Sequence, residues 1–349
     1  MSTSDRYIRQ TLVPEIGEIG QEKLNGAKVT IIGCGGLGSI VAPYLAGAGI
    51  GQITLVDYDT ISTSNLHRQV FYHSGDSRRK AEALAKHCRL LNPEISIIAQ
   101  FDKVTAINVL DVINTSNIVI DCTDDEEVKY IINDACMYSE KVLVYGGMHQ
   151  FDGYVALFDG NLSSKINLRD CFPQTAGRLA NCSEIGVFNI TAGIIGLQQA
   201  NTALKHILGI GADVLNKLQV FDVLYNRSSI IPIRKTQDYD FKTMLEKAEE
   251  VIEEQHCNPL EINANQFQQL DPAQKKTFVI NVGNQPDATN ISGMTIKEIS
   301  ELLDQKMLNV FVCPRGNTSL QLVISLRTIK ELDGYEMASL KGGLSAIQT

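Results

Sequence analysis

The segment GCGGLG, residues 33–38, is the first part of the chain whose residue types and spacing could do chemistry. It follows the β-favouring run KVTII and precedes an apolar, alanine-rich stretch. In a strand–turn–helix unit, such glycines permit a tight turn, a close approach of the backbone to phosphate, and contact between helix and strand. The helix N-terminus adds N–H donors for an anion. The candidate phosphate-binding residues are Gly33, Gly35, Gly36 and Gly38.

Polar side chains follow the next predicted strand, QITLVD, at residues 52–57. Asp57 stands where a carboxylate accepts hydrogen bonds from ribose hydroxyls. By themselves, the glycine turn and Asp57 predict only a nucleotide on a Rossmann-like sheet, a pattern that favours NAD or FAD. Four candidate binding residues lie just beyond the strand: Asp59, Asn65, Arg68 and Gln69.

The cations and carboxylates around this turn favour a different nucleotide. Arg68 and Lys80 bring positive charge, and the segment DCTDD, residues 121–125, brings carboxylates to the same edge of the sheet. A carboxylate that attacks an α-phosphate needs such cations and a divalent ion, because two anions must meet. Asp124 is the candidate Mg²⁺ ligand. The set predicts ATP with Mg²⁺, although any single one of these charges could equally belong to a solvated rim.

The elements that must position these residues alternate between strand and helix. Predicted strands are 28–33, 52–57, 95–101, 117–123 and 141–147, and the main helices between them are 38–48, 80–91 and 126–138. This alternation predicts an α/β fold with a Rossmann-like, mostly parallel sheet and helices on both faces. Beyond residue 150 the sequence predicts an antiparallel strand (151–158), an apolar helix (190–208) and a hairpin (218–233).

Three regions follow from the composition along the chain. Residues 1–235 form the predicted nucleotide-binding domain, and the charged helical segment 236–257 is the predicted linker. Residues 258–349 form a smaller α/β domain, with predicted helices at 264–270, 295–305 and 318–329 and strands at 277–282 and 309–314.

Composition restricts the function classes. The net charge of −9 argues against a nucleic-acid partner. There is no apolar run of about 18 residues and no signal-like N-terminus, so we expect a cytoplasmic protein without a membrane partner. The eight cysteines are dispersed and include no C-x-x-C pair, which predicts neither a disulfide framework nor a paired-thiolate zinc site.

Nine segments together resemble one known family. They are RYIRQ (6–10), GQEKL (20–24), GCGGLGS (33–39), VDYDTISTSNLHRQ (56–69), KAEAL (80–84), LNP (91–93), DCTDD (121–125), NCSEIGV (181–187) and GIIGLQQANTALK (193–205). In this order they resemble the ThiF/MoeB/HesA family, relatives of the ubiquitin-activating enzymes. The resemblance covers nearly all of residues 1–225.

The resemblance implies a homodimer that uses ATP and Mg²⁺ to adenylate the C-terminal glycine of a small ubiquitin-like sulfur-carrier protein ending in Gly-Gly. It implies that Arg68 and Lys80 contact phosphates, that Asp57 holds the ribose and that Asp124 binds the metal. It also implies that Arg9 reaches the ATP of the other subunit. One departure is Asp125, where many relatives carry Asn.

Two cysteines carry further expectations from the resemblance. Cys182 corresponds to a loop cysteine that in some relatives links covalently to the carrier, and an inert thiol is the alternative. Relatives usually hold a structural zinc with two C-x-x-C pairs. Here the first pair reads LRDC, which leaves only Cys171, so a structural zinc is not expected.

The C-terminal domain resembles a rhodanese-like domain. In VFVCPRGNTS, residues 310–319, a strand runs into Cys313 and a loop before a helix, a turn that can direct N–H groups at the sulfur. The pattern is degenerate elsewhere, since Thr318 replaces the usual Arg. An active persulfide carrier, charged by a donor such as a cysteine desulfurase, and an inactive remnant both stay open.

Three other functions stay open from the sequence. The first is adenylation of a peptide precursor. The second is a non-catalytic scaffold that binds a ubiquitin-like protein, and the intact set Arg9, Arg68, Lys80 and Asp124 argues against it. The third is an NAD-dependent dehydrogenase, for which no hydride-transfer His or nicotinamide pocket is recognisable.

Overall fold

The computed structural model describes residues 5–173, 186–211, 214–257, 261–281, 288–314, 317–327, 329–332 and 334–340. The chain divides into two compact units, Met1–Glu249 and Glu250–Thr349. Among the helices in these ranges, none combines the length and the apolar character that crossing a membrane requires.

The first unit is built on one eight-stranded sheet. Its strands are β1 (Lys28–Ile32), β2 (Gln52–Val56), β3 (Ser96–Gln100), β4 (Ile118–Asp121), β5 (Val142–His149), β6 (Asp152–Asp159), β7 (Lys217–Asp222) and β8 (Arg227–Pro232). Their order across the sheet is β3-β2-β1-β4-β5-β6-β7-β8. The first five run parallel, with Ile31 paired to Leu55 and to Ile120, and β6 to β8 continue the sheet antiparallel. The predicted mostly parallel sheet is confirmed.

Helices cover both faces of this sheet. They are α1 (Ile8–Thr11), α2 (Gly17–Gly26), α3 (Gly38–Ala48), α4 (Lys80–Leu91), α5 (Val109–Ile113), α6 (Glu126–Tyr138), α7 (Leu168–Cys171), α8 (Asn189–Leu208) and α9 (Phe241–Cys257). Successive strand residues point to opposite faces, so Ile31 packs in the core under α3 and α8 while Ile32 packs in the core under α5 and α6. Burial on both faces explains the near-continuous apolar runs of these strands.

The charged segment 236–257, which the sequence predicts to be a linker, is partly packed into the first unit. Its helix α9 begins at Phe241, and Phe241 and Leu245, four residues apart, are buried in the first unit's core. The unit boundary therefore follows Glu249 rather than residue 235. Two apolar side chains on one helix face attach this segment to the first unit. The sequence pattern does not reveal them because the residues around them are charged.

The second unit has a five-stranded parallel sheet with the order β11-β10-β12-β13-β9. Its elements are β9 (Glu261–Ile262), α10 (Ala264–Gln269), β10 (Lys275–Val279), β11 (Ala288–Asn290), α11 (Ile296–Ser300), β12 (Leu308–Val312), α12 (Asn317–Arg327) and β13 (Met337–Leu340). Phe278 and Phe311 stack at 5.1 Å in its core. The expected helix over 295–305 is wrong beyond Ser300. There the buried Asn309 accepts from Asp304 N and donates to Asp304 O, which pulls the chain out of the helix.

Candidate active site

Two glycines of the segment 33–38 occupy positions that no other residue could take. Gly33 has φ +92°, and a Cβ there would lie 2.6 Å from the Cys122 carbonyl oxygen. A Cβ on Gly38, the first residue of α3, would lie 1.9 Å from the Gly33 carbonyl oxygen. The strand, the turn and the helix therefore meet backbone to backbone. The predicted reason for glycine at these two positions is confirmed.

The two middle glycines, Gly35 and Gly36, face side chains that the sequence predicts as binding residues. A Cβ on Gly35 would lie 3.4 Å from Gln69 Nε2, and one on Gly36 would lie 3.5 Å from Arg68 Cδ. The structure therefore brings Arg68 and Gln69 over the glycine turn, residues 33–38. Arg68 donates to Asn65 Oδ1 at 3.0 Å, which places the third predicted residue of this loop at the same edge of the sheet.

Asp57 is tied to the turn by its own carboxylate. Its Oδ2 accepts from Cys34 N and its Oδ1 accepts from Asp59 N, both at 2.7 Å. Burial raises the pKa of Asp57, and the two backbone hydrogen bonds oppose that rise without cancelling it. The carboxylate therefore lies at the tip of β2 beside the glycine turn, as expected of a ribose-binding residue.

Lys80 begins α4 with its side chain almost fully buried, and its Nζ lies 2.6 Å from Asp59 Oδ2. Asp59 remains half exposed. The ammonium group is compact and has three donors, so it can hold Asp59 and one further acceptor at the same time. The structure thus brings two of the predicted site residues into direct contact at the carboxyl edge of the sheet.

Asp124 lies between the end of β4 and the start of α6, and it is exposed. The next residue, Asp125, is the N-cap of α6 and accepts from Glu127 N and Val128 N. Burial raises the pKa of Tyr58, and the carboxylates of Asp59 and Asp124 raise it further. Tyr58 therefore lies within electrostatic reach of the carboxylates that follow β2 and β4.

Two buried polar atoms beside the turn lack a hydrogen-bond partner within the described part of the chain. They are Ser39 Oγ, at the start of α3, and Gln69 Oε1. A buried polar group without a partner is costly, and binding of a polar ligand at the turn would remove that cost. With the helix N-terminus, Arg68 and Lys80, the donor set fits a triphosphate, and the exposed Asp124 carboxylate fits Mg²⁺.

Arg9 is the predicted site residue that the structure does not bring to the turn of its own chain. It is exposed on α1. The preceding Tyr7 is buried against Gly49 and accepts from Asn92 Nδ2 at 2.8 Å. Gly49 closes α3 at the end opposite the turn, and the 11 residues of that helix span about 16 Å.

Sequence reasoning missed Lys129, a largely buried residue one turn into α6. Its Nζ lies 3.1 Å from Asp121 Oδ2 and 2.8 Å from the Gly146 carbonyl oxygen. Asp121 ends β4 within DCTDD, so the only signal in the sequence was a lysine eight positions after an aspartate. That spacing has no meaning until α6 folds back over the strand.

Four buried cysteines differ from the two to which the sequence assigns chemistry. Burial raises the thiol pKa of Cys34, Cys122 and Cys136, and raises that of Cys88 to about 12, so these four are inert core residues. Cys182 lies outside the described residues. Cys313 is buried at the end of β12, where its sulfur accepts from Ser319 N at 3.4 Å and from Ser319 Oγ at 3.3 Å.

The segment around Cys171 is tied down by polar contacts. Arg169 donates two hydrogen bonds to the buried Asp134, at 2.9 and 2.7 Å. Asp170 closes a capping box with Asn167 and accepts from Thr236 N and Thr236 Oγ1. Within the described residues, no group of three His, Cys, Asp or Glu side chains has a geometry suited to a metal ion.

Similar proteins identify the family of this chain. A family profile described as the ThiF family matches residues 7–241. A sulfur carrier protein adenylyltransferase from Thermus thermophilus is 37% identical over 226 residues, covering 63% of this chain and 83% of that protein. An adenylyltransferase and sulfurtransferase MOCS3 from Caenorhabditis briggsae is 30% identical over 378 aligned positions, covering 98% of this chain and 93% of that protein. The crystal structure of E. coli MccB with ATP matches with a TM-score of 0.58 at 21% identity, over 67% of this chain and 73% of that one, which supports the fold alone.

Proposed function

Because this chain belongs to the ThiF family, we propose that it is an ATP-dependent adenylyltransferase that activates the C-terminal glycine carboxylate of a small ubiquitin-like sulfur-carrier protein. The observation that carries the proposal is that the glycine turn, the loop with Arg68 and Lys80, and Asp124 follow the neighbouring parallel strands β1, β2 and β4 at their carboxyl ends. The printed names of the relatives from Thermus thermophilus and Caenorhabditis briggsae support the reaction and the substrate class.

The residues divide the work of adenylation. The carrier's carboxylate attacks the α-phosphorus of ATP, an acyl-adenylate forms, and pyrophosphate leaves. The N–H groups at the start of α3 hold phosphate oxygens, and Arg68 and Lys80 offset the charge that builds up between two anions. Asp57 accepts from the ribose hydroxyls and so fixes the nucleotide relative to the turn.

The divalent cation belongs at Asp124. Held by this carboxylate, Mg²⁺ would supply neutralisation of the phosphate charge. Asp124 offers an exposed carboxylate for it, held between the end of β4 and the N-cap of α6. Magnesium sites in nucleotide-binding proteins usually rely on one or two carboxylates, with phosphate oxygens and water completing the coordination.

A homodimer would complete the site. The residues beside Arg9 contact the end of α3 opposite the turn, since Tyr7 lies against Gly49 and Gln10 donates to the Ala48 carbonyl oxygen, so in this proposal Arg9 acts on the nucleotide of a second copy. Exposed apolar side chains flank it on the N-terminal segment: Ile8, Leu12, Val13 and Ile19. Such a concentration of apolar surface around a functional cation is typical of a subunit interface.

The second unit would supply the sulfur. As a persulfide, Cys313 attacks the acyl-adenylate carbonyl through its outer sulfur, and AMP leaves. A thiol of an external dithiol reductant then attacks the inner sulfur, which releases the thiocarboxylate and leaves a mixed disulfide on Cys313, and the second thiol of that reductant restores the Cys313 thiol. Before it is charged, the Cys313 sulfur accepts hydrogen bonds from Ser319 N and Ser319 Oγ, which favour the thiolate that takes up the sulfur. The alignment with the MOCS3 protein, which covers 98% of this chain, supports this second activity.

ATP–pyrophosphate exchange with a carrier ending in Gly-Gly tests the adenylation. Lys80→Ala is expected to slow exchange by about 100-fold or more, because one donor to the developing charge is lost. Lys86→Ala, an exposed lysine on the same helix, is the control and retains full exchange. Exchange that requires a free peptide would identify a peptide adenylating enzyme. Tight carrier binding without exchange would identify a scaffold, and either result contradicts the proposal.

A further inference from the structure

Lys129, on α6, is a largely buried lysine with several polar contacts. Its side chain is 12% exposed, and its Nζ contacts both the Asp121 carboxylate and the Gly146 carbonyl oxygen. The ammonium also lies 5.1 Å from the centre of the Tyr145 ring. Asp121 ends β4 and Gly146 lies within β5, so this one cation joins two neighbouring strands beside the end of β4.

Asp121 uses its other atoms to shape the chain that follows it. Its Oδ1 accepts from Thr123 N at 2.9 Å and from Thr123 Oγ1 at 2.7 Å, and its backbone carbonyl accepts from Gln199 Nε2 at 2.7 Å. The remaining carboxylate oxygen is the one that Lys129 holds. The orientation of the carboxylate, and with it the path of the backbone through Thr123, therefore depends on Lys129.

The segment so shaped, residues 121–125, carries Asp124 and supports the phosphate turn. Asp125 anchors its far end as the N-cap of α6. The Cys122 carbonyl oxygen lies against Gly33, where a Cβ would come within 2.6 Å of it. Asp124 thus stands between two anchored neighbours, with its own carboxylate directed to solvent.

The buried ion pair between Lys129 and Asp121 is better explained by the geometry that it fixes than by a gain in the free energy of unfolding. Removing an ammonium and a carboxylate from water costs several kcal/mol per ion, and apolar residues of similar volume often stabilise a protein as well or better. An ion pair does, however, fix direction and distance. We propose that Lys129, acting through Asp121, is a positioning residue that holds Asp124 where it binds the divalent cation of the nucleotide. This inference rests on the adenylation function proposed above.

The test measures cation binding directly. Mn²⁺ is titrated, with electron paramagnetic resonance, into the full chain saturated with a non-hydrolysable ATP analogue. Lys129→Met is expected to weaken Mn²⁺ binding about tenfold, since one hydrogen bond between charged groups is lost. Lys129→Arg, which keeps the charge, is expected to restore most of the affinity. Lys86→Met, an exposed lysine on α4, is the matched control and is expected to bind as the wild type does.

Exchange kinetics give a second readout that a purely structural role would not move. Excess Mg²⁺ is expected to restore pyrophosphate exchange in Lys129→Met, because the ligand is misplaced rather than lost. It is not expected to do so in Asp124→Ala, where the ligand itself is gone. If Lys129→Met does not fold, Asp121→Asn removes the same ion pair and is expected to give the same tenfold loss.

Two results would overturn the inference. The first is wild-type Mn²⁺ affinity in a folded Lys129→Met or Asp121→Asn variant. The second is an equal loss in Lys129→Arg and Lys129→Met. The proposed function fails separately, if the wild-type chain shows neither Mn²⁺–nucleotide binding nor exchange.

Discussion

At the scale of single residues, Asp57 shows how one carboxylate serves the fold and the nucleotide. Both of its oxygens already accept backbone hydrogen bonds, one from the glycine turn and one from its own loop. Each oxygen has a second lone pair for a ribose hydroxyl. The surrounding burial raises its pKa, so the charge that holds these donors is sensitive to acid.

We predict that ATP binding weakens at acidic pH because of Asp57. A raised pKa means that protonation begins at a higher pH than for an ordinary aspartate, so the KM for ATP rises as pH falls through it. Steady-state exchange between about pH 5 and pH 8 measures this. Asp57→Asn is expected to have a KM for ATP raised by at least tenfold. It is also expected to lack the rise in KM at low pH, which is the acidic limb of the pH profile.

Asp76 supplies the control for this prediction. Arg78 holds the pKa of the Asp76 carboxyl at about 2, so Asp76 does not titrate in this range. Asp76→Asn should therefore keep the acidic limb unchanged. A limb that persists in Asp57→Asn would assign it to another group.

At the scale of elements, the segment 164–173 is fixed to its neighbours by side-chain hydrogen bonds. Asp134 on α6 holds Arg169, and Asp170 holds Thr236 in the chain that leads to α9. Lys235 donates to the Ser164 carbonyl oxygen near the other end of the segment. The contacts of Lys235 and Thr236 join stretches about 70 positions apart in sequence. They connect parts that the family resemblance would assign to a zinc site.

We predict that this region is held without metal. Thermal unfolding of the chain is expected to give the same Tm with and without a strong chelator. Asp170→Ala is expected to lower the free energy of unfolding by about 1–3 kcal/mol, because Thr236 and Asn167 lose their partner. Asp102→Ala, at an exposed aspartate outside this segment, is the control. A Tm that falls on chelation would show that a metal site exists after all.

At the scale of the whole molecule, the chain has two compact units whose chemistry would act in sequence. The first carries the nucleotide turn, and the second carries Cys313 at the end of a parallel strand. Helix α9 anchors its first two turns in the first unit through Phe241 and Leu245 before the boundary. In the proposed function, the adenylation site of one copy is complete only when a second copy supplies Arg9.

We predict that two inactive variants complement each other. Arg9→Ala lacks the residue donated to the partner, and Asp124→Ala lacks the metal ligand of its own site. In an equal mixture that exchanges subunits, mixed dimers contain one intact site, so about a quarter of wild-type exchange should return. Each variant alone is expected to retain at most about a hundredth. No recovery after subunit exchange would show that Arg9 acts within its own chain or not at all.

The sequence by itself determined the elements and residues that depend on local order. The glycine turn, α3, α4, α6 and the parallel strands were predicted because their periodicity and turn residues lie within short windows. Asp57, Arg68, Lys80 and Asp124 could be named because they follow strand ends, and the carboxyl ends of parallel strands meet at one edge.

Only the tertiary structure decided what depends on distant contacts. Lys129 meets Gly146, and Asp170 meets Thr236, across separations that no local pattern records. The short strands β9, β11 and β13 exist because the neighbouring strands offer hydrogen bonds, not because their few residues favour extension. Phe241 and Leu245 are core residues rather than linker residues for the same reason. Burial depends on the packing of the whole unit, whereas helix and turn signals can be read from the segment alone.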